Sequence, residues 1–599
     1  MVRNIYLVIL LAAGIIHAVG FQRPDNLNDL NEPYSPAFLQ WGDEQSGLFI
    51  LEAAAKRLDF LSIPEGDLTK GPIFEQLPTG MTLSGSRLFV TTDHGSGKVH
   101  VIDPESLEEI KSFKAGAGAR SPVGIQSKNL LAVCHTWLDE VGIYNFSSGK
   151  LIKKIPVLRQ PFVSALSADE KFLFVANFIT HQRADQDTVS SAVTIINLET
   201  LEIEKHLLLA NGSNALRGIS LSSNGEYIIV SHNLGRFQVP TSQLEQGWMN
   251  TSAMSIINVT SLGYEGTVLL DEPEYGAAGS WGISCYNGQM LIAHSGTHDV
   301  SVIDEQSFFD KLLTTDNRES LSYDLNFLGD IRERVKLPGN GPRAVCQTDS
   351  GVFTGMYFSD TINQLFKKSG QYQIHSYALN DGFHESQERL GEKYFNDASY
   401  CFQSWQACTG CHPLDARTDG LNWDLLNDGM GNPRNCKSML LAHETPPAMI
   451  TGIRPDAQTA VRAGFKHIQF AQVPESYALA VDAYLISLKP LPSPYLKKGK
   501  LSPSAKRGRK IFSQHGCQYC HPSPYFTDLK MHTFTSPNDN LGEQSLDSPT
   551  LIEVWRTGPY LHDGRCESME AVFEREKHGL DKPLSSNDLN DLVTYVLSL

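Results

Sequence analysis

The chain has 599 residues, of which 41% are hydrophobic and 20% are charged, and it contains 48 glycines and 30 prolines. This is an ordinary globular composition, and the length is sufficient for about three or four domains. The formal net charge of −17 at pH 7 argues against a nucleic-acid partner, because phosphate binding requires clustered Lys and Arg, whereas it is compatible with a basic redox partner.

Residues 1–20 have the pattern of a signal peptide. Arg3 supplies a positive charge before the apolar run from Ile5 to Ile16, and Ala18-Val19-Gly20 offers small residues for cleavage. The apolar run is short for a transmembrane span, and an uncleaved anchor is the alternative. We therefore expect a bacterial protein that is periplasmic or otherwise exported, with no membrane span after signal cleavage.

From about residue 45 to residue 375 the sequence repeats a short apolar strand, a turn, and a second strand that ends near Asp or Asn. In two of the copies Phe172–Asn177 leads to Val193–Asn197, and Tyr227–His232 leads to Ser255–Asn258. Seven such copies, at a period of roughly 40 to 60 residues, predict an all-β seven-bladed propeller over residues 21–380. With its phrase Ser167–Lys171 before the strand at Phe172, the array resembles the YVTN-type propellers of exported bacterial proteins, which indicates architecture rather than function.

His135, His232 and His294 follow strands of different blades at the same position. In a propeller such strand ends gather toward one mouth of the central channel. Two interpretations are open, a metal or ligand site at that mouth and polar strand ends that make hydrogen bonds, and the second is the commoner situation in proteins.

The pentapeptide C-x-x-C-H occurs at Cys408–His412 and again at Cys517–His521. It is the attachment signature of c-type haem, in which two thiols bond to the porphyrin and the histidine coordinates the iron. We therefore predict two covalently attached haems, with calcium as a possible further cofactor. The predicted attachment and proximal-ligand residues are Cys408, Cys411, His412, Cys517, Cys520 and His521. A four-thiol zinc site is the alternative, and it leaves both histidines unexplained.

After the propeller a helical pattern begins, and the sequence of one unit is repeated. Arg389–Phe395 precedes the first C-x-x-C-H motif and Lys506–Phe512 precedes the second, while each unit closes with an amphipathic stretch, Tyr477–Leu488 or Asn587–Leu597. We therefore predict a multidomain chain in which the propeller is followed by two mainly α cytochrome c modules, at residues 381–492 and 493–599. The two units also align Gly452 with Gly564.

The duplicated region resembles the bacterial di-haem cytochrome c peroxidase family, including its methylamine-utilisation branch. Besides the two haem motifs, the resemblance rests on Asn432–Asn435, Ser548–Leu551 and above all Arg556–Gly564. The family supplies a catalytic glutamate from a Trp-Asp-Gly-Arg…Glu-Gln stretch of its first module. Here that stretch reads Ile450–Gln458 and lacks the tryptophan, the aspartate that follows it and the glutamate. Glu444 or Asp456 would have to replace the acid.

The sixth iron ligands are predicted from a second repetition. His467 follows His412 by 55 residues and His578 follows His521 by 57, both within the frame Ala-Val-x-x-x-x-Lys-His. A histidine repeated at a repeated offset predicts paired distal ligands. The family's methionine, just beyond the Ala-Val of the second module, is replaced here by Glu574 and Arg575. The competing ligands are Met430, Met449, His562 and Met569.

These features predict a di-haem electron-transfer protein whose propeller is a docking or scaffold domain. The partner would be a redox protein or a small electron donor or acceptor. One alternative is a peroxidase-like oxidoreductase that acts on hydrogen peroxide or a protein substrate. A further alternative is a binding module whose haems sense redox state.

Overall fold

The structure is a computed structural model of the chain. It describes residues 32–239, 249–380, 382, 385–425, 432–534 and 544–599. The predicted signal peptide and the candidate ligand Met430 lie outside the described residues.

Seven four-stranded antiparallel sheets form the amino-terminal part, each built from four consecutive strands. The strands of the first four blades are β1 (Pro36–Gly42), β2 (Gly47–Glu52), β3 (Arg57–Ser62) and β4 (Leu68–Ile73); β5 (Leu77–Ser84), β6 (Arg87–Asp93), β7 (Lys98–Ile102) and β8 (Glu109–Lys114); β9 (Ala119–Ile125), β10 (Leu130–His135), β11 (Glu140–Asn145) and β12 (Leu151–Pro156); β13 (Pro161–Leu166), β14 (Phe172–Asn177), β15 (Ala192–Asn197) and β16 (Glu202–Leu208).

The remaining three blades follow the same order, with one helix inserted in the sixth. Their elements are β17 (Ser213–Leu221), β18 (Tyr227–Gly235), β19 (Asn250–Asn258) and β20 (Gly263–Leu269); β21 (Ser280–Tyr286), β22 (Gln289–His294), β23 (Asp299–Asp304), helix α1 (Glu305–Leu313) and β24 (Arg332–Lys336); β25 (Pro342–Thr348), β26 (Gly351–Met356), β27 (Thr361–Lys368) and β28 (Gln371–Ala378).

The blades close into a ring because neighbouring blades pack through their first strands, and β1 of the first blade lies against β25 of the last. Second strands such as β2 and β14 carry almost continuous apolar runs, since each is buried between two neighbouring sheets. Phe49 and Phe174 are fully buried there. The predicted seven-bladed propeller is confirmed.

Beyond residue 380 the chain forms helices joined by turns and irregular segments, so helix is a smaller part of this region than the sequence pattern suggests. The α-helices of six or more residues that the structure describes here are α2 (Gln387–Asn396), α3 (Ala457–His467), α4 (Glu475–Ser487), α5 (Pro503–Gln514), α6 (Met569–Glu574) and α7 (Ser586–Val596). Two short hairpins pair β29 (Asn422–Trp423) with β30 (Arg434–Asn435) and β31 (Met531–Phe534) with β32 (Gln544–Asp547).

The same helix crossing occurs twice in this region. Helix α2 packs on α4, and α5 packs on α7. A Cβ atom placed on Gly391 would lie 1.9 Å from the carbonyl oxygen of Ala480, and one placed on Gly508 would lie 1.9 Å from that of Asp591. Only glycine permits so close an approach of two backbones. The packing therefore repeats at the spacing of the sequence repeat.

A loop geometry is repeated as well. Ala448 pairs with Arg454 in an isolated bridge, and Tyr560 pairs with Cys566 in the same way. Gly452 and Gly564, which the sequence repeat aligns, have positive φ angles of 65° and 61° in the turns that these bridges close. The two repeated units beyond residue 380 thus share their helix crossings and their loops. We call them the first half (residues 385–492) and the second half (residues 493–599).

Candidate functional site

Each C-x-x-C-H motif forms one short 3-10 turn, at Cys408–Gly410 and at Cys517–Tyr519, followed by its histidine. The His412 N–H donates to the Cys408 carbonyl at 3.0 Å, and the His521 N–H donates to the Cys517 carbonyl at 2.9 Å. Each turn therefore places two thiols and one imidazole in the same local arrangement, although the two motifs are more than 100 residues apart.

The two imidazoles are oriented in the same way. Nδ1 of His412 lies 3.0 Å from the carbonyl oxygen of Arg417, and Nδ1 of His521 lies 3.0 Å from that of Phe526. Because a carbonyl only accepts, Nδ1 carries the hydrogen in both rings and Nε2 is the atom that can bind a metal. Burial lowers the pKa of both histidines and so favours the neutral, ligating form.

A cavity of about 250 Å³ lies beside the first motif. Cys408, Cys411 and His412 form part of its wall, and most of the remaining lining is apolar, including Phe465 and Val461. A predominantly apolar space beside two thiols and one imidazole suits a porphyrin.

The charged side chains of this cavity are cationic. Arg434, Lys437 and Arg454 line it, whereas none of its described lining residues is Asp or Glu. Cations are the partners that porphyrin carboxylates require. The two candidate catalytic acids, Glu444 and Asp456, are not among the lining residues of this cavity. Glu444 is exposed, and Asp456 caps helix α3 by accepting a hydrogen bond from the N–H of Thr459 at 2.7 Å.

In the second half, His578 lies close to His521, the histidine of the second C-x-x-C-H motif. The ring centroids of His521 and His578 are 6.4 Å apart, and the ring planes meet at 58°. A metal bound to one nitrogen of each ring at about 2 Å would separate the centroids by about 6 Å. Burial, and then the proximity of His521, lowers the pKa of His578 to about 4.

His467 is placed differently, although the sequence presents it as the equivalent of His578. It belongs to the cavity lining beside the first motif, but its side chain is exposed. Met449 lies on the same cavity wall. Met569 is buried in the apolar core of the second half, and His562 Nε2 lies 3.1 Å from Nη2 of Arg565.

The propeller covers the first motif. The Asn250 amide lies 3.2 Å from Sγ of Cys411, and the Asn233 amide lies 3.5 Å from the Gly410 carbonyl. A Cβ atom on Gly410 would lie 3.0 Å from the Asn250 nitrogen, so a larger residue would press against the propeller here. Met249 of the propeller also lines the cavity.

A third cysteine lies next to the first motif. The Cys436 thiol is 3.1 Å from the carbonyl oxygen of Cys411 and 3.5 Å from Nδ1 of His412. Nearby Asp419 is fully buried, which raises its pKa to about 7, and it accepts from Nε1 of Trp423 at 2.9 Å. Sequence reasoning missed Cys436 because it belongs to no spaced motif, although it directly follows the stretch that carries the family resemblance.

A buried carboxylate joins the two halves. Glu553 accepts from Arg417 at 2.7 Å, from Arg556 at 2.8 Å and from the backbone N–H of Leu491 at 2.5 Å. Burial opposes ionisation, but the two guanidinium groups outweigh it and the pKa of Glu553 is lowered. Arg556 in turn lies 5.0 Å from the ring centroid of Trp137, so the propeller meets the same junction.

The three propeller histidines bond within their own blades. His135 contacts Glu140 at 2.9 Å, His232 contacts Ser255 at 2.8 Å and His294 contacts Ser301 at 2.8 Å. These contacts support the hydrogen-bond interpretation. Across the part of the chain that the structure covers, no group of three or more His, Cys, Asp or Glu side chains is arranged to hold a metal ion.

No family model matches the sequence. The hydrazine synthase subunit gamma of Kuenenia stuttgartiensis is 25% identical over 287 residues, which cover 38% of this chain and 81% of that protein. The cytochrome c551 peroxidase of Pseudomonas aeruginosa is 25% identical over 279 residues, 36% of this chain and 79% of that protein. The methylamine utilization protein MauG of Methylophilus methylotrophus is 27% identical over 125 residues, 16% of this chain and 37% of that protein.

Among solved structures, the hydrazine synthase of Kuenenia stuttgartiensis superposes with a TM-score of 0.50 at 19% identity, covering 60% of this chain and 100% of that one. At that identity the likeness shows the fold alone. The chain thus joins a seven-bladed propeller to a region similar in sequence to cytochrome peroxidase and MauG proteins, which confirms the predicted resemblance and supports a c-type haem as cofactor. No helix in the described ranges is long and apolar enough to cross a membrane.

Proposed function

We propose that this protein is an exported electron-transfer protein that carries two covalently attached c-type haems. A haem supplies an iron that is reduced and oxidised by one electron, and the ligands around it decide whether it also binds a substrate. The first haem would be held by Cys408, Cys411 and His412, and the second by Cys517, Cys520 and His521.

The observation that carries this proposal is the proximity of His578 to His521. The two rings are separated by 6.4 Å, and both imidazoles are kept neutral by burial. If both imidazoles held the second iron, no exchangeable position would remain for peroxide or oxygen. A site of this kind is suited to passing electrons.

For the first haem, His467 is the proposed sixth ligand and Met449 the competing one, since both line the cavity. The propeller would act as the scaffold of this site. Its Asn250 amide contacts Cys411, and its Met249 completes the cavity wall. These contacts support a structural role for the propeller beside any role in docking.

A peroxidase-like oxidoreductase, acting on hydrogen peroxide or a protein substrate, is the second candidate. One observation favours it: His467 is exposed, so that the first iron could keep an exchangeable position. Cleavage of peroxide also requires a general acid–base group beside the iron. The described lining of the first cavity offers no carboxylate, and electron transfer is therefore the better supported function.

Electron paramagnetic resonance of the oxidised, purified protein tests the choice. We expect a low-spin bis-histidine signal from the second haem and no rapid binding of cyanide to it. High-spin signals from both haems, together with turnover of hydrogen peroxide, would contradict electron transfer as the function and support the peroxidase-like one. A protein without covalent haem would overturn both.

A further inference from the structure

The segment around the second haem motif has a charge opposite to that of the whole protein. Residues 495–532 contain eight Lys or Arg and one acidic residue, Asp528, which gives a net charge of +7 in a chain of net charge −17. The basic residues are Lys497, Lys498, Lys500, Lys506, Arg507, Arg509, Lys510 and Lys530, and all eight are exposed. We call this set the basic surface.

Most charges of the basic surface form no ion pair with the described residues of the fold. Arg507 pairs with Asp591 at 2.5 Å, and it is the one member of the set that takes part in an ion pair among the described residues. A surface that concentrates uncompensated charge of one sign raises the local concentration of partners with the opposite charge. The intramolecular structure therefore gives no reason for this concentration of lysine and arginine.

Helix α5 holds part of the basic surface in a fixed orientation. Ile511 and Phe512 are buried in the core of the second half, and Gly508 touches the backbone of α7. The opposite side of α5 therefore faces solvent and presents Lys506 and Arg509. The helix ends at Gln514, directly before the turn that begins at Cys517, so the charges flank the second motif.

The two motifs differ in what covers them. In the first, Gly410 lies against Asn250 of the propeller. In the second, the equivalent position is Tyr519, whose side chain is 78% exposed. Leu529 is also exposed, by 43%, and its neighbour Asp528 is held to this loop by a 3.0 Å bond from its N–H to the Cys520 carbonyl.

Two exposed apolar side chains beside the second motif, in a segment whose exposed charges are nearly all positive, have the composition of a protein-binding surface with an anchor and a charged rim. We propose that the basic surface and Tyr519 together dock an acidic soluble redox protein, which exchanges one electron with the second haem. This inference rests on the proposed function. In the transfer, the partner loses one electron as the second haem gains it, or the reverse, and no covalent bond changes.

The test uses the full-length holoprotein and two haem-protein probes of opposite charge, soluble cytochrome b5 as the acidic probe and mitochondrial cytochrome c as the basic one. Stopped-flow mixing of the oxidised protein with each reduced probe gives the bimolecular rate constant. We expect the rate with the acidic probe to fall by about tenfold when the ionic strength rises from about 10 mM to about 200 mM, and any rate with the basic probe not to fall.

Charge-reversal variants locate the surface. The variant Lys506→Glu/Arg509→Glu/Lys510→Glu should lower the rate with the acidic probe by about tenfold or more at low salt. A control with the same change in net charge, Lys114→Glu/Lys150→Glu/Lys368→Glu, alters exposed propeller lysines and should retain most of the rate. The variant Tyr519→Ser should lower the rate constant with the acidic probe even at high salt, because it removes an apolar contact and no charge.

Equal losses in the reversal and control variants, or a rate with the acidic probe that does not fall as the ionic strength rises, would overturn the docking proposal. Reduction of each variant by dithionite, followed in the visible spectrum, reports haem content independently of docking. A protein with haem at both motifs that fails the kinetic test keeps the proposed function and loses only this inference. A protein with no haem at the second motif would overturn the proposed function and the docking proposal together.

Discussion

The imidazole of His578 lies 6.4 Å from that of His521, measured between ring centroids, and both residues are partly buried. His521 directs Nδ1 to a carbonyl and so keeps Nε2 for a metal. The chain thus brings together two ring systems that are 57 residues apart, at a separation that one bound iron can span. His467, the equivalent residue of the first unit, lines the same cavity as His412 but is exposed.

The first prediction concerns His578. Its replacement by Gly should remove the sixth ligand of the second haem, because the glycine leaves space and no donor, and should convert that haem from low spin to high spin. Electron paramagnetic resonance and the binding of cyanide measure the change. The matched variant His467→Gly should leave the second haem unchanged, and an unaltered spectrum in His578→Gly would show that His578 is not a ligand.

The second prediction concerns the repeated helix crossing. Gly508→Ala should destabilise the protein by about 1–3 kcal/mol or more, because its Cβ atom would lie 1.9 Å from a backbone oxygen of α7 and the helices must separate. Thermal unfolding followed by circular dichroism measures the loss. Ser513→Ala, on the exposed side of the same helix, should change the free energy of unfolding by no more than about 0.5 kcal/mol.

The third prediction concerns the contact between the propeller and the first motif. Asn250→Leu removes an amide donor at 3.2 Å from Sγ of Cys411. Because that donor withdraws electron density from the sulfur, its loss should lower the midpoint potential of the first haem and leave the second unchanged. Spectroelectrochemical titration measures both potentials in one sample. Equal shifts of both potentials would contradict a local role of Asn250.

The fourth prediction concerns pH. The pKa of Glu553 is lowered below its ordinary value of 4.5 when the protein folds, so its ionisation stabilises the folded state. This stabilisation is fully present above pH 4.5 or so and is lost as the pH falls through the lowered pKa of the folded state. Glu553→Gln should cost about 3–5 kcal/mol at pH 7, because Arg417 and Arg556 keep buried charges without their partner.

The cost of Glu553→Gln should shrink as the pH falls through the lowered pKa of Glu553 in the folded state, since the carboxyl of the parent protein then becomes neutral too. Urea unfolding at a series of pH values measures the difference between the two proteins. A difference that is constant with pH would assign the loss to packing instead of charge.

Strand periodicity was sufficient to predict the propeller, because the second strand of each blade is buried on both faces and its sequence, as in Phe172–Asn177, is locally distinctive. The fixed spacing of C-x-x-C-H similarly predicts a local turn, and both motifs form it. The repeated Lys-His pair gave no indication that His467 and His578 differ in burial. That difference depends on packing around each half, which the repeat does not encode.

The contacts of Asn250 with Cys411 and of Cys436 with His412 could not be read from the sequence. The first joins residues 161 positions apart in different parts of the fold, and the second joins residues 24 positions apart across an irregular segment. Neither has a periodicity. Such neighbours are set by how the propeller and the following region pack together, and they become visible only in the folded chain.

The most direct test of the account is the mass of the intact, purified protein under denaturing conditions, with an in-gel stain for covalent haem. The account predicts a mass above that of the polypeptide by two haem groups, and the loss of one haem when Cys517 and Cys520 are both replaced by Ser. A mass equal to that of the polypeptide, with no staining, would contradict it.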